Sequence, residues 1–246
     1  MRVSVVVEKG RDKEKCEDAV LLSDSVVCDS TTEIKFELPT KICIADGVGG
    51  NLGGEFASHF VLTEITKIQE IQFEEDCIKR ELLDINKKLL KYADGTDDKQ
   101  QMATTLTGIF ADELNMWYVQ SGNTRLFIMQ GSYLKQITKD HTTYQWLMEC
   151  GQEEAANICN QNEIRCCFGG GSENYIKQLE VKKLDNWANI TTMLMTSDGI
   201  HEYVNIDTLE ELLLSGEKDI DIVRKMIALA NENGSVDDKT AIIIRR

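Results

Sequence analysis

The stretch that decides the fold is Thr105-Leu106-Thr107-Gly108-Ile109-Phe110-Ala111, followed by Trp117-Tyr118-Val119-Gln120-Ser121, Leu126-Phe127-Ile128-Met129 and Leu134-Lys135-Gln136-Ile137. Each run is short and rich in β-branched or aromatic residues, which marks strands. Between them lie turns, Asp112-Glu113-Leu114-Asn115, Gly122-Asn123-Thr124 and Gly131-Ser132, too short to hold a crossover helix. The segment therefore reads as an antiparallel meander.

Outward from this meander, Val3 to Val7, Ile42 to Ala45, Thr192 to Thr196 and Ala241 to Ile244 are further strand candidates. Helical periodicity appears in separate blocks. Phe56, Phe60, Val61, Ile65 and Ile68 form one apolar stripe, and Ile78, Leu82, Ile85 and Leu89 a second, with Asn86, Lys87 and Lys88 expected on its outward side. A third runs through Ile220, Val223, Ile227 and Ala230 and stops at Gly234. Asp207-Thr208 reads as the cap of a short helix over Leu209 to Leu214. Strand runs interrupted by helix blocks predict an α+β domain with an antiparallel core. A doubly wound parallel sheet would need a regular strand and helix alternation that the middle of the chain lacks.

The 246 residues suit one large domain, 1–246, and the single proline, Pro39, with no Pro/Gly/Ser-rich stretch, marks no linker. A formal net charge of −15, from 42 acidic and 27 basic residues, disfavours nucleic acid as a partner. The eight cysteines are scattered without a Cys-x-x-Cys pair, which points to reduced thiols in a cytoplasmic protein. The N-terminus is charged too early for a signal peptide, and no apolar run of about 18 residues could span a bilayer. No membrane association is expected.

Three aspartates stand against strand-like apolar runs, in Ile42-Cys43-Ile44-Ala45-Asp46-Gly47, Met193-Leu194-Met195-Thr196-Ser197-Asp198-Gly199 and Asp237-Asp238-Lys239-Thr240-Ala241-Ile242. Carboxylates fixed at the ends of stiff strands can converge, as Mg²⁺ and Mn²⁺ require of their oxygen ligands. The glycine-rich Asp46-Gly47-Val48-Gly49-Gly50-Asn51-Leu52-Gly53-Gly54 admits a dinucleotide loop, a plain turn or a metal-binding turn. Asp46 would repel a pyrophosphate unless a cation stood between them, and Thr63 to Gln72 leads towards a second helix where a βαβ unit needs a strand. The metal-binding turn is therefore preferred.

Ser197-Asp198-Gly199 taken singly is a tight turn; it gains weight because the same pattern occurs at Asp46. Cys16-Glu17-Asp18-Ala19 closes a mixed charge run that ordinarily means a solvated loop, but which would add carboxylates to the site if its neighbouring strand pairs centrally. No Gly-x-Ser-x-Gly elbow, phosphate-loop lysine or His-Glu-x-x-His occurs. Of the three histidines only His201, two residues beyond Gly199, is near enough to consider for proton transfer.

In order, Glu17-Asp18-Ala19, Ala45-Asp46-Gly47-Val48-Gly49-Gly50, Met102-Ala103-Thr104-Thr105-Leu106, Gly122-Asn123-Thr124-Arg125, Ile137-Thr138-Lys139-Asp140-His141-Thr142, Ser197-Asp198-Gly199-Ile200 and Gly234-Ser235-Val236-Asp237-Asp238-Lys239-Thr240 resemble the type 2C metal-dependent serine/threonine protein phosphatases in their compact bacterial form. The resemblance covers nearly the whole chain. It implies two antiparallel sheets packed face to face and flanked by pairs of antiparallel helices. It also implies two Mn²⁺ or Mg²⁺ ions bridged by Asp46, with the Gly47 carbonyl, Asp198 and Asp237 as further ligands and Glu17 and Asp18 holding coordinated water. The implied reaction is direct attack on phosphoserine or phosphothreonine by a metal-bridged water, with Asp46, Asp198 and Asp237 as the catalytic set and phosphoproteins as partners of a monomer.

The chain departs from the family at several positions. Lys13 stands where an arginine usually grips the phosphate, with Arg11 two residues earlier, and lysine lacks the bidentate fork. Asn123 replaces an aspartate that helps bind a third ion, so that ion loses support. Val48 removes a histidine or methionine, and Asp238 and Cys16 each replace an asparagine. Tyr144 to Phe168 corresponds to the variable flap beside the active site. The expected activity is phosphoprotein hydrolysis. The alternatives are a catalytically impaired pseudophosphatase that binds phosphoproteins or another partner, and a phosphatase for small phosphometabolites.

Overall fold

The computed structural model describes residues 1–48, 53–68, 74–96 and 101–246. Gly49, Gly50, Asn51 and Leu52 of the glycine-rich turn, and Gln69 to Gln72 of the expected approach to the second helix, lie outside the described residues.

Two antiparallel sheets form the centre. The first runs in the order β10 (Tyr133–Gln136), β9 (Arg125–Gln130), β13 (Thr192–Thr196), β14 (Lys239–Arg245), β1 (Arg2–Glu8), β4 (Ser30–Lys35). The second runs β11 (Phe168–Gly169), β6 (Ala103–Thr104), β5 (Thr40–Val48), β7 (Leu106–Ala111), β8 (Met116–Ser121), β12 (Glu180–Lys183), with β2 (Asp18–Leu22) on β5 and β3 (Ser25–Val27) on β2. The meander is antiparallel as expected but is divided between the sheets: β7 and β8 pair in one, β9 and β10 in the other.

The change of sheet happens at Gly122, whose φ of +106° bends the chain as few other residues could. A buried polar knot fixes the crossing. Gln120 Nε2 donates to the Gly122 and Thr124 carbonyls at 2.9 and 3.0 Å, and Thr107 Oγ1 donates to Thr124 O at 3.0 Å. Asn123 is thereby delivered to the end of both sheets.

The inner faces of the sheets meet through Val3, Val5, Ile42, Ile44, Ile109, Leu126, Met193, Met195, Ile242 and Ile244, all buried. Alternate residues of the same strands face the helices: Leu194, Ala241 and Ile243 pack on α5 (Asp198–His201), α6 (Ile206–Leu214) and α7 (Asp219–Glu232) through Ile200, Leu209, Ile222 and Ile227. Burial on both faces explains why these strands read as unbroken apolar runs. On the other side, α1 (Gly54–Thr66) and α2 (Glu75–Asp94) cover the second sheet with Ala57, Val61, Ile65, Ile78, Leu82 and Leu89. Each of the valine, isoleucine and leucine side chains contributes roughly 1.5–3 kcal/mol of burial. Lys41, almost wholly buried on β5, donates to the carbonyls of Ile65, Thr66 and Ile68 at 3.2, 3.1 and 2.9 Å, satisfying the open end of α1.

Two local expectations need correction. Asn86 does not face outward: it is buried, and its Oδ1 accepts the Gly169 N–H at 2.8 Å, tying α2 to β11, a long-range partner that helical spacing cannot reveal. The cap of α6 is Asn205, whose Oδ1 accepts the Thr208 N–H at 2.9 Å, so Asp207-Thr208 already lies in the first turn. The flap segment forms two short helices, α3 (Thr143–Glu149) and α4 (Glu153–Ile158), before returning to β11. Among the described residues no helix is long and apolar enough to cross a membrane.

Candidate metal and phosphate site

The charge run before Asp18 does lead into a strand that pairs centrally. In the β2–β5 register Asp18 lies opposite Asp46, and the Gly47 N–H donates to Glu17 O at 3.1 Å. The peptide of Asp46 is held by the two threonines that follow Met102-Ala103. Thr105 Oγ1 accepts the Asp46 N–H at 3.0 Å, Thr104 Oγ1 donates to Asp46 O at 2.9 Å, and the Thr105 N–H donates to the same carbonyl at 2.8 Å. The side chain is thus aimed by strands on either side of it.

Gly47 is required by close approach. A Cβ there would lie 2.4 Å from the carbonyl carbon of Gly54, and one on Gly54 would lie 2.6 Å from Glu17 Oε1. The start of α1, the end of β5 and the Glu17 carboxylate therefore crowd into one corner.

Asp198 opens α5 at the end of β13, and Asn123 Nδ2 donates to its Oδ2 at 3.0 Å. The turns behind it are stitched together. Ser197 Oγ accepts the Thr240 N–H at 2.9 Å, Ser235 Oγ donates to Gly199 O at 3.0 Å, and a Cβ on Gly199 would stand 2.0 Å from Asp238 O. Asp198 and Asp237 are thereby brought to one edge. Thr240 Oγ1 also donates to Asp18 Oδ2 at 2.6 Å, closing the ring of strands.

Asp46, Asp198 and Asp237 remain partly exposed while Asp18 and Asp238 are buried. Burial, then the charges of Asp18, Asp198 and Asp237, push the Asp46 carboxyl well above the usual range. Burial pushes Asp18 up to about 7, with Asp238 and Asp198 adding to it and Thr240 opposing. Asp198 is raised by burial and by Asp237. Carboxylates crowded in this way can all be ionised only if positive charge joins them.

Among the described residues Lys13 contributes such charge. Its Nζ lies 2.5 Å from Asp237 Oδ1, 3.0 Å from Asp238 Oδ2 and 3.1 Å from Glu17 Oε2. Burial works to lower its pKa, but Asp237 and Asp238 outweigh that and hold the ammonium well above its ordinary value. Arg11 is exposed, and no ion pair involves it among the described residues.

Among the described residues no three acidic, histidine or cysteine side chains stand close enough together to enclose an ion as they are. The donor set nonetheless suits a hard divalent cation: oxygen ligands only, charges in excess of their partners, and a buried Asp18 Oδ1 with no hydrogen-bond partner. Asn123 Oδ1 is likewise unpartnered.

Two further groups make contacts that local sequence does not reveal. His201 is bonded through Nδ1 to Thr196 Oγ1 at 2.9 Å, and burial together with Arg125 holds its pKa well below the ordinary value, which favours the neutral imidazole. Asp238 is more than a substitution. It accepts the Gly10 and Glu17 N–H groups, each at 2.7 Å, and so secures the loop that carries Lys13. A buried carboxylate over two backbone donors leaves no mark in local sequence.

No protein-family model matches the chain. The serine/threonine phosphatase Stp of Listeria welshimeri is 25% identical over 215 residues, covering 83% of this chain and 84% of that protein. PstP of Mycobacterium tuberculosis, a serine/threonine protein phosphatase, is 28% identical over 211 residues, 82% of this chain and 39% of PstP. Among solved structures, a bacterial serine phosphatase superposes with a TM-score of 0.79 at 25% identity over 98% of this chain and 96% of its own. Stp1 of Staphylococcus aureus shares the fold, with a TM-score of 0.80 at 24% identity.

Proposed function

We infer that this chain, a member of the type 2C family of metal-dependent protein phosphatases, hydrolyses phosphoserine and phosphothreonine in proteins. The observation that carries the reading is the meeting of Asp46, Asp198 and Asp237 from three separated strand ends, with Asp18 behind them, in a cluster whose charges need a cation.

On this reading residues 1–246 act as one catalytic unit. Asp46, Asp198, Asp237 and the Gly47 carbonyl are the groups that would hold two Mn²⁺ or Mg²⁺ ions, and Glu17 and Asp18 would accept hydrogen bonds from their coordinated water. Bound divalent cations would acidify a water and offset charge on the phosphoryl oxygens. The chain's own residues do the rest. Thr104 and Thr105 fix the Asp46 peptide. Asn123 orients Asp198, and as a neutral amide it disfavours a third ion. Lys13 and Arg11 are the cationic side chains proposed to meet the phosphate. We further propose that the protein acts as a monomer in the cytoplasm.

A non-hydrolysing phosphoprotein-binding role is supported by nothing beyond the exchanges at Lys13, Asn123 and Asp238. Turnover of a phosphothreonine peptide, with Mn²⁺, Mg²⁺ or chelator, tests the proposal. Cation-dependent release of phosphate is expected; tight peptide binding without release under every condition would reject it.

A further inference from the structure

The ammonium of Lys13 has three N–H donors, and three carboxylates, those of Glu17, Asp237 and Asp238, stand within 3.1 Å of it. In this arrangement no donor is left for a phosphate. Lys13 therefore cannot hold these carboxylates and grip a substrate at the same time.

We propose that Lys13 is a tethered cation that competes with the divalent ions for Asp237 and Glu17, and that ion entry releases it to face the substrate phosphate. The inference rests on reading this site as a divalent-cation centre. Asp238 anchors the loop through the Gly10 and Glu17 N–H groups, so the base of the lysine stays put whichever way the tip points. Lys13 lies only partly buried, 29% exposed, with a flexible four-carbon stem, and Asp237, 47% exposed, is the outermost of its partners. Moving Nζ off Asp237 is thus a side-chain rotation that leaves the strands undisturbed. The ammonium of a lysine is a compact charge able to stand in for an ion.

Two consequences follow from one exchange. The Lys13 ammonium offsets part of the charge of Glu17, Asp237 and Asp238. Divalent affinity is correspondingly reduced, because the incoming ion must displace an ammonium already in place. Substrate binding then becomes ordered after ion binding, since only the occupied site frees the phosphate-facing group.

Mn²⁺ binding, followed through the signal of the free ion in electron paramagnetic resonance, separates the possibilities without any assay of turnover. Lys13→Met should bind Mn²⁺ about tenfold more tightly than wild type, because the competing charge is gone, while Lys13→Arg, which keeps a charge, should stay close to wild type. Equal or weaker Mn²⁺ binding in Lys13→Met would overturn the competition while leaving the metal-centre reading intact. Absence of Mn²⁺ binding in wild type and both variants would overturn that reading and this inference together. If Lys13→Met does not fold, the ¹⁵N signal of the Lys13 ammonium in the wild-type protein decides: a shift on saturation with Mg²⁺ supports displacement, and an unchanged signal refutes it.

Discussion

Asp238 and Glu17 are 221 residues apart in sequence, yet the Glu17 N–H donates to the Asp238 carboxylate at 2.7 Å. The other oxygen of the same carboxylate takes the Gly10 N–H at 2.7 Å. One buried side chain therefore joins the loop before β2 to the turn before β14, and both flank the proposed metal ligands.

Asp238→Ala should accordingly harm both stability and catalysis. It strands two backbone donors and removes one partner of Lys13, a loss on the order of 3 kcal/mol in unfolding free energy. Chemical denaturation should report that loss, and peptide KM should rise because the Gly10 to Glu17 loop is no longer fixed. An unchanged denaturation midpoint would contradict the assigned anchoring.

A second test lies at the far end of the first sheet. The buried Asp219 accepts Arg2 NH2 through Oδ2 and Arg245 Nε through Oδ1, each at 2.9 Å. Asp219→Ala leaves the Arg245 guanidinium without its carboxylate and should cost about 2 kcal/mol in thermal or denaturant unfolding. Phosphopeptide turnover measured well below the melting temperature should match wild type. A large loss of turnover in protein that is still folded would mean the two ends of the sheet are coupled, contrary to this account.

The pH dependence of stability has a contribution from His201. Its folded pKa lies well below that of the unfolded chain, because of burial and Arg125. The unfolded state therefore takes up the proton first, and stability falls as pH drops below about 6.5, by up to about 1.4 kcal/mol per pH unit for this one group. His201→Gln should flatten that part of the stability profile between pH 6.5 and 5, and the imidazole signal of His201 in wild type should not titrate in this range. A His201 resonance that titrates near 6.5 would remove the basis of the prediction.

The aspartates Asp46, Asp198 and Asp237 were legible in sequence because each follows or precedes an apolar run that could only be a central strand. Helices α1, α2 and α7 were legible for a similar reason, their stripes facing a single sheet each. What sequence could not convey is which distant backbone groups meet these residues. β2 hid in the end of a charge run because the strand is buried on both faces and shows no alternation. The edge strand β4, largely exposed and polar, carries little apolar signal at all. Asn86 belongs to the same class: its position on α2 looks outward by spacing, and only the arrival of Gly169 makes it interior. Division of the meander between two sheets depends on the polar knot around Gln120, Thr107 and Thr124, residues that read as ordinary strand positions.

The central claim is that the Asp46 cluster holds divalent cations that drive phosphoester hydrolysis. Its most direct test is phosphothreonine-peptide turnover titrated with Mn²⁺ for wild type and Asp46→Asn, a near-isosteric change that removes the carboxylate charge. The account predicts turnover in wild type that saturates with Mn²⁺ and vanishes with chelator, and a fall of about a thousandfold in the folded variant. Comparable turnover in the two proteins, or wild-type turnover that persists after complete removal of divalent ions, would contradict it.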